Sequence, residues 1–319
     1  MNENKTLYIV VPCYKEEAVL PETSKRLREK LRALMDAGKI SEKSRVMFVN
    51  DGSSDETWPI ISRLHKEDPD VFSGVNLSRN RGHQNALLAG LLTAVNYADM
   101  IISMDADLQD DINAIDPMLD KFEAGCDIVY GVRSKRDTDT FFKRFTAEGF
   151  YKVMKALGVD IVFNHADYRL MSRRAVEGLA QFGEVNLFLR GIVPQIGYKW
   201  TTVTYERAER FAGESKYPLK KMLAFAADGI TSFSVKPIRM VFSLGVVVFL
   251  VSLVMLLYAL VAKLTGHTSA GWTSLMGSIW LIGGIQLLSL GVVGEYIGKI
   301  YNETKRRPRF IIESVLNKE

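Results

Sequence analysis

The chain has 319 residues, of which 24% are charged, and its formal net charge at pH 7 is only +4. This length allows one or two domains with a sizeable core, and the weak net charge argues against a protein that binds nucleic acid through general attraction. The two cysteines, Cys13 and Cys126, lie far apart in the sequence. This spacing argues against a disulfide framework and favours buried free thiols in a reducing compartment.

Apolar runs and helical patterns alternate through the first 133 residues. The apolar runs predict strands, some of them with the turn that follows, at residues 7–14, 45–57, 72–80, 99–109 and 127–133. The helical patterns predict helices at residues 17–38, 57–68, 83–98 and 112–125. This alternation of strands and helices predicts an α/β, Rossmann-like domain with a mostly parallel sheet and helices on both faces.

Polar residues gather where three of these predicted strands end, at residues 12–16, 51–55 and 105–109. Ligands of parallel sheets bind at this edge. The sequence has neither a GxGxxG nor a GxxxxGK[ST] phosphate loop, so an acidic strand end that faces a phosphate needs a cation between them. Asp105 and Asp107 could share Mg²⁺ or Mn²⁺ with a diphosphate. Asp110 and Asp111 are expected to cap the next helix, and a ligand role is the alternative.

Two long apolar segments follow the α/β region. Residues 240–262 carry no charge, and residues 272–298 carry none before Glu295. Each segment is long enough to cross the roughly 30 Å hydrocarbon core of a bilayer. We predict a transmembrane hairpin with a short extracytoplasmic loop at residues 263–271; two buried core helices are the alternative. Glu295 lies near one end of its segment, where it could reach the interface or pair with Lys299.

Lysine and arginine flank the predicted hairpin but are scarce in its loop. By the positive-inside rule, both termini and the large N-terminal domain face the cytoplasm of a multi-pass cell-membrane protein. Residues 213–239 have the pattern of an amphipathic juxtamembrane segment. Residues 299–319 form a predicted cytoplasmic basic tail, whose "KRRPR" stretch suits anionic lipid headgroups or follows from the ordinary positive-inside bias.

Several motifs carry a resemblance to a known family. "VVPCYKEEAVL", "VNDGSSDET", "LSRNRGHQNALLAG" and "MDADLQDD" resemble, in order and spacing, the nucleotide-sugar-binding half of family 2 glycosyltransferases with the GT-A fold. "VYGVRSKR", "HADYRLMSRRAV" and "RFAGESKYPLKKM", followed by two spans, resemble the polyprenyl-phosphate branch, which includes bactoprenol glucosyltransferases and dolichol-phosphate mannose synthases. The resemblance covers nearly the whole chain and implies a cytoplasmic GT-A catalytic domain at residues 1–212.

The resemblance implies a role for each residue that matches a family motif. The donor nucleotide sugar would be bound by Pro12, Tyr14, Glu16, Asp51, Asp105, Ser215 and Lys216. The Mg²⁺ or Mn²⁺ ion would be bound by Asp105, Asp107 and Gln109. The acceptor phosphate would be bound by Arg133 and Arg144, helped by Arg169. Asp107 and Asp167 would be the catalytic carboxylates. Relatives often have proline after "DADLQ", where this chain has "DDIN".

The implied reaction is an inverting transfer of glucose from UDP-glucose to undecaprenyl phosphate, which supplies a lipid-linked sugar for cell-envelope glycosylation. UDP-galactose, UDP-N-acetylglucosamine and GDP-mannose are alternative donors. The acceptor phosphate is already anionic at neutral pH, so Asp167 is expected to orient groups rather than to take a proton. We also expect a homo-oligomer. Two other classes stay open: an inactive membrane scaffold, and a processive synthase, which would need a QxxRW motif and more spans.

Overall fold

The computed structural model describes residues 4–134, 165–185, 188–206, 236–265 and 271–318. Three residues predicted to bind substrates, Arg144, Ser215 and Lys216, lie outside these ranges, as does most of the predicted amphipathic segment. Contacts divide the chain into two units. In the described residues, the first unit contains the whole sheet, and the second contains two long helices.

The sheet has eight strands in the described residues. They are β1 (Leu7–Cys13), β2 (Arg45–Asn50), β3 (Phe72–Leu77), β4 (Met100–Ser103), β5 (Ile128–Arg133), β6 (His165–Ser172), β7 (Trp200–Tyr205) and β8 (Ile312–Leu316). The helices of this unit are α1 (Leu20–Asp36), α2 (Thr57–Glu67), α3 (His83–Ala94), α4 (Ile115–Glu123), α5 (Arg173–Ala180) and α6 (Leu189–Gln195). A short 3₁₀ turn, Ile112–Ala114, precedes α4.

The strand order is β7-β5-β6-β4-β1-β2-β3-β8, and only β6 and β8 run antiparallel to their neighbours. The predicted α/β class with a mostly parallel sheet is therefore confirmed. Every residue of β1 is buried, as expected for a central strand covered on both faces. One side of α1 contributes Leu20, Leu27, Leu31 and Leu34 to the core. Cys13 and Cys126 are buried free thiols, as predicted.

The topology reverses at β1. The chain adds β2 and β3 on one side of β1, and it then returns to place β4 on the other side. In open α/β sheets, ligands bind in the crevice at such a switch point, beyond the carboxyl ends of the strands. Pairing between β1 and β4 stops at Val10 and Ser103, two residues before Pro12, which has no N–H to donate. The crevice therefore opens between the first-strand turn and the "DADLQ" turn.

Three strands, β6, β7 and β8, were not predicted from the sequence, and β7 pairs with β5 at one edge of the sheet. β6 inserts between β4 and β5, so these two strands are not neighbours. β8 forms within residues 299–319, which the sequence analysis described only as a basic tail. It pairs with β3 and extends the sheet at that edge. All three strands depend on pairing partners that are far away in the chain, and hydrophobic periodicity does not report such partners.

The second unit contains α7 (Lys236–Leu264) and α8 (Trp272–Thr304), which contact each other. In the described residues, one helical segment, Leu281–Thr304, is long and apolar enough to cross a membrane, and a shorter apolar stretch covers Ile238–Val248. The helices begin and end close to the predicted segments at residues 240–262 and 272–298. Their arrangement as a two-span hairpin stays a prediction.

Candidate active site

The "DADLQ" turn after β4 presents three polar side chains on one side. Asp105, Asp107 and Gln109 are half-buried, whereas the intervening Ala106 and Leu108 are buried. Leu108 has a positive φ of 56°, which is uncommon for a residue other than glycine and marks a strained turn. On α1, the hydroxyl of Thr23 donates to the carbonyl of Ala106 at 2.8 Å. This anchor holds the two aspartates at the edge of the crevice.

The turn after β1 is tied to the loop after β2. Lys15 also has a positive φ, 57°, and its amide donates to Ser53 Oγ at 3.1 Å. The amide of Glu16 donates to Thr57 Oγ1 at 3.0 Å. Pro12 is buried below this turn, and the side chain of Tyr14 is exposed above it. The exposed ring is suitable for stacking against a planar base. This geometry fits the nucleotide-sugar-binding role predicted for the turn, which stays a prediction.

Asp51 is buried and holds the loop that precedes α3. Its two carboxylate oxygens accept the backbone amides of Arg81 and Gly82 at 2.6 and 2.9 Å. Burial raises the pKa of Asp51, and these two hydrogen bonds oppose the rise. Next to it, Gly52 has a φ of +61°, and a Cβ there would lie 2.4 Å from the backbone of Arg79. Asp51 therefore acts as a scaffold for two loops, in addition to the base contact predicted for it.

Asp167 lies at the same edge because β6 is antiparallel to β4 and starts where β4 ends. The register pairs Ser103 with Arg169, which puts Asp167 two residues further toward the crevice. Ser103 Oγ donates to the Asp167 carbonyl at 2.5 Å. The Asp167 carboxylate accepts from Arg169 Nη2 at 2.8 Å and from Arg190 Nη2 at 3.2 Å.

Asp167 is held in its ionised form. Burial acts to raise its pKa, but the charges of Arg190, Arg169 and His83 outweigh burial and lower the pKa well below the usual carboxyl range. A carboxylate with so low a pKa accepts a proton poorly at neutral pH. These neighbouring charges favour an orienting role for Asp167 over the alternative role as a general base.

Arg169 does not fit the acceptor-phosphate role predicted for it. Its side chain is only 1% exposed and is bound to Asp167, so it cannot reach a lipid phosphate without leaving the core. Its Nε and Nη1 atoms lack hydrogen-bond partners within the described part of the chain. Asp167 and Arg169 occupy the same face of β6 two residues apart. Side chains two residues apart on a strand point to the same face, so this spacing in the sequence predicts that Asp167 and Arg169 are neighbours.

Arg190 is the site residue that the sequence analysis missed. It is 31% exposed at the side chain and meets Asp167 through two nitrogens, Nε at 3.3 Å and Nη2 at 3.2 Å. It stands on α6, whose first amide, that of Leu189, donates to Gln84 Oε1 on α3 at 2.9 Å. The only available signal was an arginine inside the apolar run "FLRGIV".

His83 lies between the two groups of carboxylates. It is the first residue of α3, and its Nε2 is 3.5 Å from Asp105 Oδ1 and 3.8 Å from Asp167 Oδ2. From the sequence, a histidine at a helix start after Gly82 fits either a phosphate contact or a simple helix-end position. The structure places this side chain in the crevice, where it contributes positive charge when it is protonated.

The two aspartates that follow the "DADLQ" turn have different roles. Asp111 accepts the amide of Asn113 at 2.9 Å and caps the 3₁₀ turn, as predicted. Asp110 is no cap; it is buried, accepts the hydroxyl of Tyr205 on β7, and lies 3.9 Å from Arg133 Nη2. Burial and then the charge of Asp105 raise the pKa of Asp110 to about 6, although the Tyr205 hydrogen bond opposes them.

The carboxylates after β4 fit a divalent ion. Burial raises the pKa of Asp105; the charges of Asp167 and Asp107 add to that rise, while His83 and Arg133 oppose it. A cation between Asp105 and Asp107 would relieve this repulsion, and carboxylate and amide oxygens suit Mg²⁺ or Mn²⁺. Within the described ranges, no group of three or more His, Cys, Asp or Glu side chains is arranged to hold an ion. The fit therefore rests on Asp105, Asp107 and the Gln109 amide.

Sequence comparison decides the family. The profile described as glycosyl transferase family 2 matches residues 8–179, more than half of the chain. The chain belongs to glycosyltransferase family 2. Together with the sheet, this membership supports the GT-A-like fold, and it makes the chain a glycosyltransferase. A second profile, described as the GtrB C-terminal hairpin, matches residues 236–300 of this family 2 glycosyltransferase.

Relatives of this glycosyltransferase align over nearly their full length. It is 54% identical to the "Uncharacterized glycosyltransferase YkoT" of Bacillus subtilis, over 98% of this chain and 93% of the relative. It is 42% identical to the "Prophage bactoprenol glucosyl transferase homolog" of Escherichia coli, over 96% and 98%. It is 41% identical to the "Bactoprenol glucosyl transferase" of Shigella phage SfV, over 96% and 97%. Among solved structures, glucosyl-3-phosphoglycerate synthase of Mycobacterium tuberculosis aligns at 17% identity and a TM-score of 0.45, over 71% of this chain and 78% of the other.

Proposed function

We propose that this glycosyltransferase transfers glucose from UDP-glucose to undecaprenyl phosphate at the cytoplasmic face of the cell membrane, with inversion at the anomeric carbon. One observation carries the proposal: at the β1–β4 switch point, His83 Nε2 lies 3.5 Å from the Asp105 carboxylate and 3.8 Å from the carboxylate of Asp167, which is paired with Arg190. A metal-bound diphosphate and an anionic acceptor need such a mixture of acids and cations. The relatives named bactoprenol glucosyl transferase support the choice of glucose and of a polyprenyl phosphate.

The donor would lie with its base against the first-strand turn and its diphosphate near the "DADLQ" turn. Tyr14 is exposed for stacking, and Asp51 keeps its loop in place beneath the base. Asp105, Asp107 and Gln109 would hold Mg²⁺ or Mn²⁺, which supplies positive charge to the leaving diphosphate. Ser215 and Lys216 are proposed to close over the donor.

The acceptor phosphate would attack from the side of Arg190. An oxygen of the lipid phosphate forms a bond to the anomeric carbon while the bond to the UDP oxygen breaks, and UDP leaves with the bonding electrons. The attacking oxygen is already anionic near neutral pH, so the step requires no base. Asp167 fixes the guanidinium of Arg190 so that its exposed side faces the phosphate, a geometry that arginine forks match well. Arg133 and Arg144 are the other proposed contacts.

The donor and acceptor can be tested together. Purified protein in detergent is incubated with undecaprenyl phosphate, Mg²⁺ and one labelled nucleotide sugar at a time, and the organic phase is examined for labelled lipid. We expect label from UDP-glucose and little from UDP-galactose, UDP-N-acetylglucosamine or GDP-mannose, because a site built for one hydroxyl pattern rejects another strongly. Transfer to a soluble glycan alone contradicts the lipid acceptor. A protein that neither transfers nor hydrolyses any donor supports the scaffold alternative.

We further propose that α7 and α8 form a two-span hairpin with both termini in the cytoplasm. A single cysteine introduced by Ser269→Cys, in a background where Cys13 and Cys126 are replaced by alanine, should react in intact cells with a membrane-impermeant maleimide. Lys43→Cys in the same background is the control for the catalytic domain and should react only after lysis. Protection of the first variant together with labelling of the second would show the opposite orientation.

A further inference from the structure

The C-terminal strand β8 reaches the donor side of the site. It pairs with β3 in antiparallel register, with Gly74 opposite Leu316, Val75 opposite Val315, Asn76 opposite Ser314 and Leu77 opposite Ile312. The register shifts between Asn76 and Leu77, so Glu313 is an extra residue without a partner across the ladder. Bulges of this kind turn a side chain in a new direction. Here the bulge lies at the carboxyl end of β3, on the edge of the sheet that holds the candidate active site.

A continuous chain of hydrogen bonds starts at this bulge. Glu313 Oε2 accepts from Asn76 Nδ2 at 2.8 Å, and Asn76 Oδ1 accepts from Asn50 Nδ2 at 2.8 Å. Asn50 Oδ1 then accepts the backbone amide of Ser53 at 3.2 Å, and Ser53 Oγ accepts the amide of Lys15 at 3.1 Å. The chain crosses β8, β3 and β2 and ends at both loops proposed to bind the donor.

The two ends of this relay of hydrogen bonds set the directions of the bonds between its side chains, because the Glu313 carboxylate only accepts and the backbone N–H of Ser53 only donates. An ionised carboxylate accepts hydrogen bonds and donates none, so Asn76 must present its NH₂ group to Glu313 and its oxygen to Asn50. Asn50 must then present its own oxygen to the Ser53 amide. Glu313 is exposed, whereas Asn50 is 2% exposed, so water is poorly placed to replace a partner that Asn50 loses. A donor at position 313 cannot accept from Asn76 Nδ2, so Asn76 either loses this partner or turns its amide and sets its NH₂ group against that of Asn50.

We propose that Glu313 is a positioning residue for nucleotide binding, which acts through Asn76 and Asn50 on the loops at Lys15 and Ser53. This inference rests on the proposed function, because it takes these loops to be the nucleotide site. Residues 305–311 alone separate β8 from α8 in the chain. The segment that follows the last long helix is therefore a part of the catalytic domain.

The test compares Glu313→Lys, which replaces the acceptor by a donor, with Glu313→Gln, which keeps an acceptor oxygen. Hydrogen exchange of the full-length protein in detergent is followed by mass spectrometry. We expect peptides covering residues 14–17 and 51–57 to exchange faster in Glu313→Lys than in wild type, and Glu313→Gln to match wild type. Peptides from α1 should exchange alike in all proteins, which controls for global unfolding. Equal exchange at both loops in every variant overturns the proposal, whatever the nucleotide result.

Nucleotide binding is the second measurement. With Mg²⁺ present, the Kd for UDP, and the KM for UDP-glucose, should rise about tenfold in Glu313→Lys and change little in Glu313→Gln, while kcat is nearly constant. The added positive charge should by itself attract an anionic nucleotide, so weaker binding has to come from the loops. Glu67→Lys, with the same charge change at an exposed position on α2, is the matched control. A Kd for UDP in Glu313→Lys equal to that of wild type overturns the proposal. If exchange changes at both loops while wild type binds neither UDP nor GDP, the relay is supported and the proposed function fails.

Discussion

Asp105→Asn and Asp107→Asn should each lower the rate of sugar transfer by about a hundredfold or more at saturating donor. Each substitution replaces a charged ligand oxygen of the proposed ion by a neutral amide, so less positive charge reaches the leaving diphosphate. Both side chains are half-buried on one side of the turn, whose backbone is held by Thr23. The substitutions should therefore leave the turn in place. Rates are measured across a titration of Mg²⁺ and of Mn²⁺.

Asp111→Asn is the matched control in the same turn. Asp111 caps the 3₁₀ turn through the Asn113 amide, and asparagine is an equally good cap, so this variant should keep nearly the wild-type rate. The metal concentration that gives half-maximal activity should rise in the two site variants and stay constant in the control. Near-wild-type rates of sugar transfer in both Asp105→Asn and Asp107→Asn would contradict the proposed metal site.

Asp167→Asn should lower kcat about a hundredfold and also lower the free energy of unfolding by about 3–5 kcal/mol. The substitution removes the charge that faces both Arg169 and Arg190, and it leaves the guanidinium of Arg169 buried and uncompensated. Arg190→Gln should lower the rate to a similar extent with a smaller loss of stability, because Arg190 is partly exposed. Transfer assays and thermal unfolding of the full chain separate the two effects.

The pH dependence distinguishes an orienting carboxylate from a base. The pKa of Asp167 is lowered in the folded protein, so its contribution to stability is complete above the ordinary carboxyl value of about 3.9 and is lost only as the pH falls below it. Between about pH 5 and pH 8, the titration of Asp167 should cause no change in the rate of sugar transfer. An acidic limb near pH 6 is expected from the second pKa of the acceptor phosphate. It should persist in Asp167→Asn; its disappearance would make Asp167 the base.

Arg173→Gln is the control for Arg190→Gln. Arg173 is an exposed residue at the start of α5 whose guanidinium bonds Ala98 and Asp99. Its loss should change stability by less than about 1 kcal/mol and leave transfer intact. Arg190→Lys keeps the charge but loses the two-nitrogen fork, so most of the activity lost in Arg190→Gln should also be lost there. If Arg190→Lys transfers sugar at the wild-type rate, Arg190 contributes only its positive charge, and the role proposed for its two-nitrogen fork is wrong.

Local pattern alone determined the first five strands and the position of the acidic turn. The apolar runs of β1 to β5 are continuous because both faces of the sheet are covered, and the helices between them carry their own period. Asp105 and Asp107 are two residues apart in the sequence, so the acidic pair is brought to the end of β4 by the chain itself. The rule for parallel sheets then brings this turn to the same edge as Tyr14 and Asp51.

Tertiary structure decided which charged residues face the substrates. The resemblance implied that Arg133 and Arg144 bind the acceptor phosphate with help from Arg169, but β6 inserts between β4 and β5 and buries Arg169 against Asp167. The exposed arginine of that cluster is Arg190, which reaches Asp167 from a helix 23 residues further along the chain. No local pattern reports this pairing, because the energy that fixes it comes from two strands and a helix that meet only after folding.

The C-terminal segment also shows what the sequence predicts by itself and what only tertiary structure decides. Its lysines and arginines predict a cytoplasmic basic tail, yet Ile312–Leu316 extends the sheet beside β3. Strand pairing is satisfied by backbone groups that every residue carries, so a five-residue strand with little hydrophobic contrast is invisible until its partner is known. The contact from Glu313 to Asn76 spans 237 residues. Only the folded chain could show that the C-terminal segment is hydrogen bonded to Asn76 and, through Asn76 and Asn50, linked to the loops where the first two strands end.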